Sequence, residues 1–161
     1  ADLINWTRME NNPLLTNDTD ANGGVWGGSH NADADVVKIG EVPASFVSEV
    51  SEGLVNTGVD VEVNRLIMDP SYDLILSIGQ VVPHEVVGMA NYSKNIFVGC
   101  GGSSMINSSH MLGAFYGMER IMGKDFSPVR RVFDYAEQNF LMQIPLVYVL
   151  TTTTVLKKTS H

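Results

Sequence analysis

The run Asp73-Leu-Ile-Leu-Ser-Ile-Gly79 constrains the fold more than any other stretch. It is apolar at nearly every position, bounded on one side by the turn signal Asp69-Pro70-Ser71 and on the other by glycine. A strand with one wet face alternates polar and apolar residues, whereas a near-continuous apolar run suits a parallel strand covered on both faces. Val36–Val42 and the alternating Val59–Val63 read as further strands, and Asn95-Ile-Phe-Val-Gly99 as a second short run of this kind. Between them lie helical patterns. Ala44–Glu52 carries Phe46, Val47 and Val50 on one side, and Gly53 stops it. Ser104–Met122 is longer. Ser127-Pro128 starts a third helix, with serine at the N-cap and proline at the first helical position. Its apolar stripe is Val129, Val132, Phe133, Ala136 and Phe140. Pro145–Val155 is β-rich. Strands alternating with helices predict an α/β fold, a mostly parallel sheet flanked by helices in a Rossmann-like layer architecture.

A chain of 161 residues, 44% hydrophobic and 17% charged, has the composition of one globular domain. The stretch from Asn11 to Asp35 is crowded with Asn, Asp, Gly and Thr, which is loop chemistry and unusually long for a compact domain. The expected division is therefore a loop-rich segment over 1–35 and an α/β domain over 36–161, with the chain read as a piece of something larger. A net charge of −8 repels phosphate backbones and anionic lipid, so neither nucleic acid nor a membrane surface is an expected partner. Apolar stretches such as Ile144–Leu150 are too short to cross a bilayer. Cys100 is the only cysteine, which excludes an internal disulfide and suits a reducing, cytoplasmic compartment.

In open α/β sheets, ligands bind beyond the carboxyl ends of the strands. His84 follows the Asp73–Gly79 strand in the loop Gln80-Val-Val-Pro-His84. Imidazole is the side chain suited to moving protons near neutral pH, although a loop histidine is equally at home on an ordinary surface. Lys94 is the only lysine or arginine between Arg65 and Arg120. Among Gly, Asn and Ser it suits an anion ligand or a covalent attachment point, or else a solvated surface. Gly101, Gly102 and Ser103 lead into the long helix, where free backbone N–H groups attract anions; the plain alternative is a tight turn. The stretch is neither a Walker A loop nor a dinucleotide fingerprint. His110 sits among Asn107, Ser108 and Ser109, polar residues that a buried helix face would not select without a polar ligand, and one ring nitrogen is available for a metal. Met105, Met111, Met118 and Met122 read as core, with an adaptable exposed surface as the other reading.

Several stretches together resemble the N-terminal domain of the nickel-dependent lactate racemase family. They are Val36-Val-Lys-Ile-Gly-Glu-Val-Pro43, Val61-Glu-Val-Asn-Arg65, Asp73–Gly79, Pro83-His84 with Gly88, Lys94, and Asn107-Ser-Ser-His110. The resemblance runs from Val36 to about Thr151. It implies an isomerase, a racemase or epimerase of a 2-hydroxy acid, a sugar acid among the candidates. It implies that Lys94 anchors a nickel-pincer nucleotide (nickel pyridinium dithiocarboxylate mononucleotide), that His110 ligates the nickel, that Gly88 borders the cofactor, and that His84 exchanges protons with the substrate. It also implies partners within the same protein, an N-terminal segment bearing a second proton-transfer histidine and a closing C-terminal domain. The chain departs from the family pattern in two places. Met89-Ala-Asn-Tyr-Ser93 replaces the basic, glycine-rich loop before the anchor, and neither His30 nor His161 stands in the context of the second histidine. The alternative is a non-catalytic nucleotide or small-molecule binding module on the same fold.

Overall fold

The structure is a computed structural model that describes residues 35–153. The loop-rich segment up to Asn31-Ala-Asp-Ala34, His30, His161 and the end of the β-rich tail lie outside the described residues. Within them the order is β1 (Val36–Val42), α1 (Ala44–Val50), β2 (Val59–Asn64), β3 (Ile75–Gln80), β4 (Pro83–His84), β5 (Gly88–Met89), α2 (Ser103–Tyr116), α3 (Met118–Ile121), α4 (Pro128–Phe140) and β6 (Leu146–Thr151).

The core forms where β1 and β2 meet α2 and α4. β2 alternates as its sequence does, with Val59, Val61 and Val63 buried and Asp60, Glu62 and Asn64 half-buried. Phe97, Phe133, Met105 and Leu112 complete the buried layer, and Phe97 and Phe133 lie with ring centroids 5.7 Å apart. Burying side chains of this size stabilises by roughly 1.5–3 kcal/mol each. The register of β1 slips between Lys38 and Gly40. At Gly40 a Cβ would overlap the Phe140 ring, so the bare glycine lets α4 lie across the strand. In α4 the expected stripe is the observed one: Val129, Val132, Phe133 and Ala136 are fully buried and Phe140 partly so. Ser127 caps it, its hydroxyl accepting from Arg130 N at 3.0 Å.

The fold is mixed α/β, but its strands do not form the expected mostly parallel sheet. Among the described residues only β3 and β6 pair in parallel; β1–β2 and β4–β5 are antiparallel, each a two-stranded unit. The reason for β1–β2 is visible in the register. Val42 stands opposite Val59, so residues 43–58 need only return the chain to the same end. The seven-residue α1 and its loop thus make a broad hairpin connection and not a crossover.

Three further expectations change. Asn95–Gly99 is a single wide helical turn, not a strand, with the adjacent Ile96 and Phe97 both buried. Adjacent residues cannot both face one side of a strand, whereas a helical turn can bury both. The strand-like pairing falls on the next residues, where Gly101 bridges Val63 and Asn64 N donates to Cys100 O. The long helical pattern breaks at Gly117, whose φ of 100° ends α2 before α3 begins. Its methionines divide: Met105 is core, while Met111, Met118 and Met122 are exposed. Finally, β3 is parallel, but among the described residues it is covered on one face only. Leu76 (52% exposed) and Ile78 (64%) stand opposite Val147 and Val149 of β6 on an open apolar face.

Candidate functional site

His84 ends the two-residue strand β4, which folds back on β5. The hairpin needs Gly88, with φ 91°, because a Cβ there would strike the backbone carbonyls of Lys124 and Ile121. Its other side packs on α2. Gly113 has no side chain where Val86 presses in, and a Cβ would lie 3.1 Å from Val86 Cγ1. His110 lies three residues before Gly113 on the same helix, hence on the same face. Lys94 comes from the far side of β5, after the bend at Asn91 and Tyr92 and directly before the turn at Asn95–Gly99.

His84 and Glu85 share one electrostatic neighbourhood with Lys94 and His110. Burial of the ring lowers the pKa of His84. The Glu85 carboxylate raises it, and the charges of Lys94, His110 and Arg130 lower it further, so that the net shift is downward. Glu85 in turn is held below the usual carboxylate range by its own backbone N–H, and then by the charges of His84, Lys94 and His110. Lys94 and His110 thus both act on the charge of the His84–Glu85 pair, although the residues come from a hairpin, a loop and a helix.

The two histidines are held in opposite tautomers. Val86 N donates to His84 Nδ1 at 3.1 Å, so the neutral His84 ring carries its proton on Nε2. His110 Nδ1 faces Ile106 O at 2.7 Å, a carbonyl that can only accept, so that ring carries its proton on Nδ1. His110 therefore presents a free lone pair at Nε2 on an exposed side chain. This is the arrangement found in metal-ligating histidines, whose second nitrogen donates to a carbonyl or carboxylate. Among the described residues no group of three His, Cys, Asp or Glu converges to hold a metal ion. A metal at His110 would draw its remaining ligands from a cofactor, and a single protein imidazole with a free Nε2 fits that demand.

The glycine loop is packed as its plain alternative, a tight turn, describes. Ser104 N already donates to Glu62 Oε2 at 3.0 Å, so the helix N-terminus holds the protein's own anion. Gly101 and Gly102 are buried against β2; a Cβ at Gly102 would meet the Glu62 side chain, and one at Gly101 the carbonyl of Phe97. These two glycines and the exposed Ser103 lead into α2 and serve strand-to-helix packing. The Glu62 contact was invisible in the sequence, where the residue occupies a polar position of an alternating strand.

Arg130 was also missed. The residue is 8% exposed, and its guanidinium reaches from the first turn of α4 to the segment before Lys94. Nη1 donates to Ser93 Oγ at 2.8 Å, and Nη2 donates to Met89 O at 2.6 Å and to Asn91 O at 3.3 Å. The one available signal was a cation beside the apolar stripe of an amphipathic helix. Cys100 is half-buried, and burial pushes its thiol pKa up, which disfavours a reactive thiolate.

The family model of the lactate racemase N-terminal domain matches residues 33–122, a span that contains His84, Lys94 and His110. A crystal structure of a protein from Thermotoga maritima matches 76% of this chain at 24% identity, with a TM-score of 0.67. The match covers 29% of that protein's length. No curated protein matches the chain. No helix among the described residues is long and apolar enough to cross a membrane.

Proposed function

We propose, on the premise that this chain belongs to the lactate racemase N-terminal domain family, that it forms the cofactor site of a racemase or epimerase acting on a 2-hydroxy acid. The lactate-racemase relationship comes from the family; substrate, cofactor and residue roles are our reading. Lys94 anchors a nickel-pincer nucleotide, His110 supplies the protein ligand to nickel through Nε2, and His84 meets the substrate hydroxyl. The observation that carries the reading is that Lys94 and His110 both act electrostatically on His84, with His110 Nδ1 engaged by Ile106 O so that its Nε2 is left to a ligand.

Held by Lys94 and His110, such a group would supply a reversible hydride acceptor for the substrate carbon. The protein has to manage the proton and hold the substrate in place. His84, low in pKa, is neutral at pH 7 and donates through Nε2–H to a substrate oxygen. To take the hydroxyl proton at Nε2 it must first move its own proton to Nδ1, which breaks the bond from Val86 N. A second proton-transfer group on the opposite face is still required, and the proposal places it in a part of the protein beyond the described residues.

One observation favours a second reading, a non-catalytic binding module. Met89-Ala-Asn-Tyr-Ser93 carries no cation to neutralise a nucleotide phosphate. The readings separate when the full-length protein is co-expressed with cofactor-making enzymes. Stoichiometric nickel that disappears in His110→Ala, together with interconversion of 2-hydroxy-acid enantiomers that His84→Ala abolishes, supports the racemase. Protein without nickel and without isomerisation supports the binding module.

A further inference from the structure

We propose that Arg130 is a positioning residue for Lys94, holding the segment Met89–Ser93 in the conformation that delivers the lysine to the site. Three observations carry this. The guanidinium is buried, and its hydrogen-bond partners are neutral oxygens of one short segment: two backbone carbonyls and the Ser93 hydroxyl. The segment is strained where it is gripped. Asn91 and Tyr92 are successive non-glycine residues at φ 71° and 58°, a left-handed pair that persists only when its surroundings impose it. The grip also has a second point. Ser127, which caps α4 beneath Arg130, donates through Oγ to Val87 O at 2.9 Å. The first turn of α4 thus ties the chain on both sides of β5, and Lys94 follows the last tied residue directly. Inside the bend, Asn91 is 3% exposed, and its Oδ1 accepts from Asn95 Nδ2 at 2.6 Å. The bend is therefore coupled to the turn that begins at Asn95.

A buried cation is costly to leave without partners, and its hydrogen bonds to neutral acceptors are stronger than neutral ones. Here the hydrogen bonds are directed at two main-chain oxygens and a hydroxyl of a strained bend, while the carboxylates of Asp134 and Glu137 act on the guanidinium only through their charge. The Tyr92 ring lies 5.9 Å from the guanidinium carbon, which adds a cation–π contact to the same bend. The role of Lys94 as a cofactor anchor rests on the proposed function; the effect of Arg130 on its position does not, and the test keeps the two apart.

The test compares wild-type chain with Arg130→Met and Arg130→Lys. Lys94 is acylated under limiting acetylating reagent, and its rate is divided by that of Lys124 in the same sample by peptide mass spectrometry. Amide exchange is followed over residues 89–94 and, as an internal control, over β2. The expected result is that exchange at 89–94 rises about tenfold or more in Arg130→Met. β2 stays protected, and the Lys94:Lys124 ratio changes several-fold. Arg130→Lys restores little, because one ammonium cannot reproduce the fork that spans three oxygens. An unchanged ratio with unchanged exchange at 89–94 overturns the proposal, as does a loss of protection spread evenly over β2. If Arg130→Met does not fold, Ser93→Ala decides: a smaller shift in the same direction supports the clamp, and no shift overturns it. Separately, wild-type protein that never acquires the cofactor at Lys94 overturns the function while leaving the clamp standing.

Discussion

At the scale of single residues, three side chains stand out in the sequence because their types are uncommon in their surroundings. His84 stood after the strongest strand, Lys94 was isolated from other cations, and His110 interrupted a run of small polar residues. What could not be read was their state, because a tautomer depends on which backbone group lies opposite each ring nitrogen. The structure supplies Val86 N for His84 and Ile106 O for His110. Nitrogen-15 NMR is expected to find neutral His84 protonated on Nε2 and His110 protonated on Nδ1; the same tautomer for both contradicts this reading. The His84 pKa is lowered, so the unfolded chain binds this proton first as pH falls. The contribution of His84 to stability is therefore unchanged above the ordinary value of about 6.5. It is lost progressively as pH falls from there toward the lower folded value. Glu85 works against the shift, so Glu85→Gln is expected to lower the His84 titration midpoint further in an NMR titration. A midpoint that rises contradicts the assigned electrostatics.

At the scale of elements, strands and helices with clear periodicity were legible and their partners were not. β1 begins and ends where its sequence says, and the α4 stripe and Ser127 cap are those expected. The antiparallel pairing of β1 with β2 was hidden, because the same β-α-β order and a connection of this length serve either direction. Asn95–Gly99 misled because a short apolar run reads the same for a strand and a buried helical turn. The methionines misled because α2 is apolar on more than one face, and Gly117 turns Met118 and Met122 outward. Ser127 gives the sharpest prediction at this scale, since its hydroxyl both caps α4 and ties Val87 O. Ser127→Ala is expected to cost about 1–2 kcal/mol in urea unfolding. It should also loosen amide protection at Gly88–Met89. A cost near zero contradicts the double role.

At the scale of the whole molecule, the described residues make a complete core around β1 and β2 and an incomplete one around β3 and β6. Leu76, Ile78, Val147 and Val149 are exposed, among the described residues, on a sheet that sequence alone placed between two layers. The apolar run is a parallel strand as read, and among the described residues one of its two faces is left open. Because Leu76 and Ile78 are open, Leu76→Lys and Ile78→Lys are expected to change stability by no more than about 0.5 kcal/mol and to reduce self-association. A loss of several kcal/mol in urea unfolding contradicts the exposed placement. The candidate site lies where the hairpin β4–β5, α2 and α4 converge, so its three residues depend on the complete part of the core. The most direct measurement of the central claim is intact-mass analysis of the full-length protein co-expressed with the cofactor-making enzymes, with peptide mapping of the modified residue. The expected result is a mass increase located on Lys94, absent in Lys94→Ala and present without nickel in His110→Ala. No increase, or an increase that survives Lys94→Ala, contradicts it.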